Sequence, residues 1–444
     1  MVTTYHRYIR LGWVGLLLVV LGVPVVSWVL HTTFSDAVGS TFFTLKLLGQ
    51  ITGIIGAQLF AFGLILSARI AFIEKLFGGL DKLYVIHHRI GVIAFSFLAV
   101  HPLILAFRYA DESFKEVADF LSPIGNTMPI TFGICAILLM LILLCITLYG
   151  AIFKYPALKV AHKFLGGAFF LGFIHILFIP SSLNNDSVLR GALLITGAFG
   201  LVAFTYRSLL GKWLVPRYVY TVTGVTALPG SVTEIFLTTI RGKKLFHTPG
   251  QFGMLSFINS TVVAPEEHPF TISSPGDDGT IRFSIKGLGD YTKLLSALTV
   301  GTQAHIEGPF GEFSYIYGGE KQVWVAGGIG VTPFVSMAEH MLSFKVLPYV
   351  IDFYYSVRTE ADATYKELFE RVSAKHASFR FHLMPSDTKG YISAQLLVTE
   401  INDIGSRDIF ICGPPPMMIG LIDQLIAVNI SKKFIHSERF ALLK

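Results

Sequence analysis

Residues 83–107 read LYVIHHRIGVIAFSFLAVHPLILAF, a run that is long and apolar enough to cross a bilayer and yet carries three histidines. A membrane span needs about 20 apolar residues, and an ionisable side chain inside one is costly and usually functional. His87 and His101 are 14 residues apart, close to four helical turns, so their rings face the same side of a helix with a rise of about 21 Å. This stretch therefore predicts a membrane helix with polar functional groups at two depths.

Five other stretches have a similar composition. The chain has 444 residues, of which 52% are hydrophobic and only 14% charged; ordinary soluble domains carry about 25% charge, so a wholly soluble protein is excluded. Arg7 and Arg10 precede the first stretch as in a signal peptide, but its apolar run is long and no small-residue cleavage site follows, so we expect a retained helix. The six predicted membrane spans are residues 11–30, 45–68, 83–107, 129–153, 160–179 and 190–210.

Charge divides the chain into two halves. Residues 1–210 carry 14 Lys and Arg against 8 Asp and Glu, whereas residues 211–444 carry 21 of each. The basic excess lies in the membrane half, so we attribute it to topology rather than to nucleic-acid binding. With the N-terminus inside, ten basic residues flank the inner ends of the spans and four lie in the outer loops. This bias predicts a multi-pass plasma-membrane protein whose second half is cytoplasmic.

The fifth span adds His162 and His175, which are 13 residues apart. That spacing is about half a turn out of phase, so the pair needs a kink, a tilt or a π-bulge to share a face. Two helices that each offer a His near either membrane surface could hold two stacked metal centres. Zinc does not suit two His per level without Cys or carboxylate, whereas two imidazoles suit the axial positions of a haem. The alternative is that the four are satisfied polar side chains in a helical bundle.

The inner ligand on the third span has two candidates. His88 is 13 residues from His101, so it could also form the pair. Gly91 follows His87 by four residues, as Gly166 follows His162, and this common spacing favours His87. Small residues at these positions would let the edge of a haem pack closely, although glycines also serve ordinary helix packing.

The second half of the chain changes pattern at Tyr218. Short alternating strands separated by turn residues, such as GMLSFIN and TIRFSIKG, predict a small antiparallel barrel up to about Tyr317. From Lys321 strands and helices alternate, which predicts a parallel α/β domain. We therefore predict a membrane domain (1–212), a barrel domain (213–318) and an α/β domain (319–444).

Four short motifs in this half fall at strand ends or entries. GGIGVTP (327–333) follows a buried strand and precedes a helix, where glycines let the backbone approach a phosphate. CGPPPMM (412–418) follows another strand, so the two motifs can line one crevice at the carboxyl edge of the sheet. HPFTISS (268–274) and IKGLGDYT (285–292) belong to the barrel, where Lys286 could meet a pyrophosphate. Each motif taken alone could be an ordinary turn or strand entry.

Taken together and in this order, the paired histidines and the four motifs resemble the NADPH oxidase and ferric reductase family. The resemblance implies a six-helix transmembrane bundle, an antiparallel β-barrel FAD domain and an α/β nicotinamide-binding domain of the ferredoxin-reductase type. It implies two b-type haems, one bound by His87 with His162 and the other by His101 with His175. The donor it implies is NADPH, with NADH as the alternative.

The resemblance also assigns residues to the soluble cofactors. FAD would be bound by His268, Pro269, Phe270, Thr271, Ser273, Ile285, Lys286, Gly289 and Thr292. The nicotinamide cofactor would be lined by Gly328, Gly330, Thr332, Pro333, Cys412, Gly413 and Pro414. Ser356 and Arg358 stand where relatives grip the 2′-phosphate, although Arg358 could equally be a solvated loop charge. Three residues would lie at the reacting rings: Thr271, Cys412 and Phe440, the last as the aromatic residue that stacks on the flavin.

The activity implied is transmembrane electron transfer to dioxygen, which makes superoxide. Ferric-chelate reduction shares every motif, and Leu105 stands where some oxidases have an extra His, one turn after the outer ligand. A third interpretation is a cytochrome-b subunit that feeds a protein partner, so a partner is compatible but not required. A fourth is a non-redox membrane module with a vestigial reductase domain. We expect no nucleic-acid partner.

Overall fold

The computed structural model describes residues 2–32, 34–37, 39–148, 155–180, 186–239, 243–276 and 279–438. The chain forms two compact units. The helical unit comprises Ile9–Phe77 and Lys82–Val215, and the sheet unit comprises Pro216–Lys444 with the short segments Met1–Tyr8 and Gly78–Asp81. Each unit has its own hydrophobic clusters.

The helical unit confirms the six predicted spans. Six of its helices are long and apolar enough to cross a membrane. The fourth predicted span ran to residue 153; its described helix ends at Leu148, and residues 149–154 lie outside the described part of the chain. The helices are α1 (Val2–His31), α2 (Thr41–Ser67), α3 (Ala71–Phe77), α4 (Leu80–Phe107), α5 (Phe114–Leu121), α6 (Met128–Leu148), α7 (Tyr155–Phe178), α8 (Ser187–Phe204) and α9 (Gly211–Leu214).

Side-chain caps explain where two of the spans begin. The hydroxyl of Ser40 accepts a hydrogen bond from the backbone N–H of Phe43 at the start of α2. The carboxylate of Asp186 does the same for the first turn of α8 and also accepts a hydrogen bond of 2.8 Å from Ser27 of α1. Because the first N–H groups of a helix have no partner within it, such caps fix the helix start. The Asp186 contact ties α1 to α8.

The barrel part of the sheet unit is antiparallel, as predicted. Its strand order is β4-β3-β6-β1-β2-β5, and an isolated bridge between Ile272 and Phe283 connects the chain after β4 to β5. Side chains such as Tyr220, Phe257 and Phe283 fill its core. The elements are β1 (Tyr218–Leu228), β2 (Val232–Thr239), β3 (Phe252–Ile258), β4 (His268–Thr271), β5 (Thr280–Lys286), α10 (Asp290–Leu294) and β6 (Gln303–Phe310).

The second part of the sheet unit is a parallel sheet flanked by helices, also as predicted. Its order is β11-β10-β7-β8-β9, and every paired strand runs parallel to its neighbour. The carboxyl ends of the strands therefore meet at one edge. The elements are β7 (Lys321–Gly327), α11 (Thr332–Met341), β8 (Val350–Val357), α12 (Lys366–Lys375), β9 (Phe379–Pro385), α13 (Ala394–Glu400), β10 (Asp408–Cys412), α14 (Pro415–Ala427) and β11 (Ile435–Ser437).

Candidate functional site

The structure brings His87 of α4 next to His162 of α7. The centres of the two imidazole rings are 6.2 Å apart, and the ring planes make an angle of 69°. Two imidazoles that bound one metal from opposite sides, each through a bond of about 2 Å, would have ring centres about 6 Å apart. His88, the rival candidate, is exposed, but so is His162, so the ring contact with His162 is what favours His87. The spacing of this pair would therefore let the two imidazoles hold one metal between them.

Backbone carbonyls orient three of the four histidines. The Nδ1 atoms of His87, His101 and His175 lie 2.9, 2.6 and 2.8 Å from the carbonyl oxygens of Gly63, Gly49 and Pro129, respectively. Since a carbonyl only accepts, each Nδ1 carries the proton and each Nε2 keeps its lone pair. Metal-ligating histidines are usually held in this tautomer by such a bond.

Helix α2 supplies two of these carbonyls with a matching period. Gly49 and Gly63 are 14 residues apart, and so are His101 and His87, which they hold. The two helices run in opposite directions along this contact, since the earlier glycine meets the later histidine. A single neighbouring helix thus sets the tautomer at both depths of α4. Sequence reasoning missed this role of α2, although its glycines share the histidine spacing.

Glycines also make room for the rings of His101 and His175. A Cβ at Gly53 of α2 would lie 2.7 Å from two atoms of the His101 ring, and a Cβ at Gly133 of α6 would lie 2.9 Å from Nδ1 of His175. Both contacts are shorter than side chains tolerate. The two histidines furthest along their helices are therefore packed against helix positions that only glycine can occupy without a shift.

Helix α7 contains no π-bulge, which was one of three ways that the spacing left open for His162 and His175 to share a face of the helix. It is regular α-helix from Tyr155 to Phe178, and a π-helical turn occurs instead at Thr205–Leu209. An ideal helix separates residues 13 apart by about 140° around its axis. His162 accordingly meets His87 of α4, whereas His175 is held by α6.

The glycine argument for His87 is only half reproduced. Gly91 has open space where a Cβ would be, as small residues beside a bound group would. At Gly166 there is no such space, because the ring of Phe204 occupies the position that a Cβ would take. Among the described residues no group of three or more His, Cys, Asp or Glu side chains could hold a metal. A donor set of two imidazoles per level fits a haem, whose porphyrin supplies the other ligands.

The first barrel motif forms strand β4 and part of a cluster of tilted rings. The ring centres of His268 and Tyr291 lie 4.0 Å apart, and those of His268 and Phe270 lie 6.1 Å apart. Pro269 pairs with Met254 on β3. The hydroxyl of Thr271 is buried without a hydrogen-bond partner among the described residues. Such an orphaned polar atom is expected where a bound ligand supplies the partner.

The second barrel motif forms a tight turn. Gly289 caps α10, and the hydroxyl of Thr292 accepts hydrogen bonds of 3.0 Å from the N–H groups of Leu288 and Gly289. Thr292 therefore shapes the turn. Lys286 ends β5 beside it, whereas the side chain of Ile285 lies in the barrel core. Ser273 is also fully buried, and its hydroxyl is bonded to Ser284 and to the Arg282 carbonyl within the protein.

The two glycine motifs of the α/β part meet at the carboxyl edge of the sheet. Strands β7 and β10 are adjacent, and a Cβ at Gly330 would strike the carbonyl of Cys412 and Cα of Gly413. Gly328 has φ of +51°, a conformation that favours glycine. Pro414 packs against Gly327. Thr332 and Pro333 open α11 and are buried. The predicted crevice residues are thus brought together.

Ser356 and Arg358 lie further along the same edge. Ser356 pairs with Gly327 near the end of β8, and Arg358 follows it as an exposed side chain. The backbone N–H of Asp387 donates a hydrogen bond of 3.2 Å to the carbonyl of Arg358, so the loop after β9 joins this region. That loop presents Tyr391, whose side chain is 86% exposed. Sequence reasoning missed Tyr391, although it also follows a strand end.

Of the residues predicted at the reacting rings, Cys412 is buried and Phe440 is not among the described residues. Cys412 is fully buried, and burial raises the pKa of its thiol well above the usual range. It is therefore a neutral thiol that can line a pocket but not act as a nucleophile. Phe440 lies outside the described residues.

Three family models match the chain in succession. Residues 52–174 match the ferric reductase like transmembrane component, residues 219–322 match an FAD-binding domain and residues 324–422 match the oxidoreductase NAD-binding domain. The first and third ranges lie within the predicted membrane and α/β domains, and the second runs four residues past the predicted barrel limit of 318. The four histidines are divided between the first range, which contains His87, His101 and His162, and the residue just after it, His175.

Curated relatives match part of the chain at low identity. The glycine betaine monooxygenase reductase subunit of Chromohalobacter salexigens is 28% identical over 211 residues, which are 44% of this chain and 56% of that protein. The reductase component of propane 2-monooxygenase from Rhodococcus jostii is 26% identical over 286 residues, which are 60% of this chain and 72% of that protein. The chain thus spans little more than half the length of the first of these relatives.

A solved structure supports the fold alone. The flavohemoglobin of Malassezia yamatoensis, with bound FAD and haem, superposes with a TM-score of 0.50 at 18% identity, covering 89% of this chain and 96% of that one. The succession of matched models carries more weight than any single relative. A ferric-reductase-like membrane component followed by FAD-binding and NAD-binding domains is the domain architecture of the NADPH oxidase and ferric reductase family, and these domains show that this chain is an oxidoreductase.

Proposed function

We propose that the protein transfers electrons from cytoplasmic NADPH through FAD and two b-type haems to dioxygen on the outer face of the plasma membrane, producing superoxide. The observation that carries the haem part is the His87–His162 pair, with ring centres 6.2 Å apart. Each NADPH would then give NADP⁺, one proton and two superoxide ions from two dioxygen molecules. The orientation follows from the excess of basic residues at the inner ends of the spans.

The residues have distinct roles in this proposal. His87 with His162 would hold one haem, and His101 with His175 the other. The backbone carbonyls of Gly63, Gly49 and Pro129 keep the Nε2 lone pairs available. When bound, a flavin takes up the two electrons of a hydride together and releases them singly, which one-electron centres require.

The sheet unit would bind the soluble cofactors. His268, Phe270 and Thr271 would contact FAD, which would supply the hydrogen-bond partner that the Thr271 hydroxyl lacks among the described residues. The joined loops at Gly330 and Gly413 would cradle the nicotinamide cofactor, with backbone N–H groups facing its phosphates. Phe440 would stack on the flavin, as the family resemblance implies.

A second candidate acceptor is an anionic ferric chelate. Arg108 directly follows the end of α4 and is seven residues beyond His101. Its guanidinium lies 5.2, 5.4 and 5.8 Å from the ring centres of Phe42, Tyr109 and Phe120. A positive charge just beyond the helix end that carries the outer histidine favours an anion over neutral dioxygen.

Anaerobic spectroscopy followed by oxygen separates these proposals. The full-length protein in detergent, supplied with FAD and NADPH, is expected to show a reduced-minus-oxidised haem spectrum. Admitting oxygen should then yield dismutase-sensitive superoxide at a rate close to that of NADPH consumption. Slow superoxide formation with fast reoxidation by a ferric chelate would replace the oxidase with a metalloreductase. Reduced haems that neither acceptor reoxidises would indicate a protein partner, and an absent haem band would refute the haem proposal.

A further inference from the structure

One face of helix α11 connects the nicotinamide crevice to the barrel. Thr332, Ser336 and Glu339 have the spacing i, i+4 and i+7, so they share that face. Thr332 stands at the crevice end of the helix, directly after the glycine loop. The other two side chains form hydrogen bonds to the barrel, and both of these bonds reach the end of the HPFTISS motif or the arginine that holds it.

Arg282 of β5 is the centre of this joint. Its Nη2 lies 2.7 Å from a carboxylate oxygen of Glu339 and 2.8 Å from the carbonyl oxygen of Ser273, to both of which it donates. Its Nε lies 3.4 Å from the carboxylate of Glu234 on β2. A single nitrogen of the guanidinium therefore binds both the flavin motif and the nicotinamide helix. The Nε of the same rigid, planar group lies near the Glu234 carboxylate.

Two further hydrogen bonds cross the joint. The Ser336 hydroxyl donates to the carbonyl of Ser274 at 2.9 Å and accepts from the N–H of Gly250. The hydroxyl of Tyr365, just before α12, donates to the carboxylate of Glu234 at 2.8 Å. The two parts of the sheet unit are thus connected at several points on either side of Arg282.

Burial of the charged side chains constrains the geometry of this network. The side chains of Arg282 and Glu234 are 17% and 10% exposed, and that of Glu339 is 25% exposed. A buried ion pair contributes little net stability compared with apolar packing, but its geometry is strongly constrained because an unpaired buried charge is costly. Such a network is suited to fixing orientation. Ser273 is two residues after Thr271, and Thr332 begins the helix at the crevice, so the orientation it fixes is that of the two cofactor sites.

We infer that the Arg282–Glu339 pair is a positioning pair that holds the nicotinamide helix against the flavin strand in the alignment needed for hydride transfer. This role rests on transfer from NAD(P)H to FAD and is independent of the haems and of the final acceptor. It also gives Ser273 a structural role in the joint in place of direct contact with the cofactor.

Rapid mixing of the full-length, FAD-loaded protein with NADPH under anaerobic conditions tests this pair. Glu339→Gln keeps the size and one acceptor oxygen but removes the charge. We expect the rate constant of flavin reduction at saturating NADPH to fall by about tenfold or more, since small misplacements of reacting groups have such effects. The NADPH dissociation constant should change by less than about twofold, because phosphate contacts are untouched. The long-wavelength charge-transfer absorbance of NADP⁺ with reduced flavin should weaken in parallel.

A matched control separates positioning from stability. Arg407 is also buried and also makes a 2.7 Å ion pair, with Asp352, but both residues belong to the α/β part alone. Arg407→Lys should lower the thermal unfolding midpoint at least as much as Glu339→Gln and leave the rate constant and the charge-transfer absorbance unchanged. Should Glu339→Gln fail to fold, Ser336→Ala removes one bond of the joint and is expected to slow flavin reduction by about threefold.

Two results would overturn the inference. One is an unchanged rate constant and charge-transfer band in Glu339→Gln, or in Ser336→Ala where that variant replaces it. The other is an equal loss of rate in Arg407→Lys. A failure of NADPH to reduce the flavin of the unsubstituted protein would instead refute the electron source in the proposed function. Flavin reduction without haem reduction would leave the inference intact and refute the proposed path through the haems.

Discussion

The histidine pairs of the helical unit and the glycine loops of the sheet unit are built in opposite ways. In the helical unit, the candidate ligands are side chains, and the backbone of neighbouring helices orients them, as Gly63 does for His87. In the sheet unit, the backbone itself forms the crevice, and side chains are kept out, as at Gly330 against Cys412. A membrane helix has no spare N–H groups to offer a ligand, since its own hydrogen bonds use them. A loop at a strand end has free N–H groups that can bind a ligand.

This difference predicts which changes matter most. Where a single side chain is the ligand, its removal should abolish binding. Where many backbone groups share the ligand, a side chain added in the wrong place should weaken binding without abolishing it. The four substitutions below test that order, from the largest expected effect to the smallest.

Replacement of His87 is expected to have the largest effect. His87→Ala removes one of the two imidazoles of its pair, so one haem should be lost and the haem content per chain should halve. The measurement is the absorbance of haem extracted from the purified protein, relative to protein. His88→Ala is the matched control, because His88 is adjacent in sequence but exposed. If the haem content halved in His88→Ala and did not change in His87→Ala, His88 and not His87 would be the ligand.

The second largest effect is expected at Gly53, which packs against the ring of His101. A Cβ in Gly53→Ala would lie 2.7 Å from the His101 ring and push it from its place. Loss of orienting contacts around a ligand typically weakens metal binding by about tenfold or more, so haem should transfer faster from this variant to an acceptor protein. Gly191→Ala is the control, because a Cβ there meets open space and alanine favours a helix by about 0.8–1.0 kcal/mol. Equal transfer rates for the two variants would show that Gly53 has no role at the site.

The sequence predicted the ligands of the helical unit but not what orients them. Four histidines inside apolar spans are a visible anomaly, because ionisable groups there are rare. The carbonyls of Gly49, Gly63 and Pro129 are invisible to such reasoning, since every residue has one. Of the kink, tilt or π-bulge that the spacing in α7 left open, the π-bulge is absent from the described helix.

In the sheet unit the motifs and strand order were predictable, but the contacts between motifs were not. The glycine-rich composition of GGIGVTP indicates a phosphate-binding turn. Nothing in it indicates that Gly330 touches the Cys412 carbonyl, or that Ser273 bonds within a joint around Arg282. Those contacts depend on the packing of distant segments, and they turned a predicted cofactor contact at Ser273 into a candidate positioning role.

Crowding of the glycine loops should have a moderate effect. Gly330→Ala places a Cβ against the backbone of Cys412 and Gly413, so the two loops must separate. We expect the NADPH dissociation constant to rise by about tenfold, equivalent to about 1.4 kcal/mol, while the FAD content stays unchanged. The loss is partial because the other backbone groups of the crevice remain. Gly405→Ala, an exposed turn with open space around it, is the control and should bind NADPH normally. Loss of FAD from the Gly330 variant would mean that the substitution disturbs the whole sheet unit.

Arg358 is expected to have the smallest effect, and it separates the two readings of its charge. If it binds the 2′-phosphate, Arg358→Gln should raise KM for NADPH by up to about fivefold, because an exposed ion pair contributes up to about 1 kcal/mol, and should leave KM for NADH unchanged. The side chain is exposed, so salt screens its charge and the difference should shrink as ionic strength rises. Lys366→Gln, which removes a partly exposed cation of the same part of the chain that pairs with Glu360, is the control. Equal KM changes for both nucleotides would make Arg358 a solvated loop charge and leave the choice of nucleotide to Ser356 and the loop that carries Tyr391.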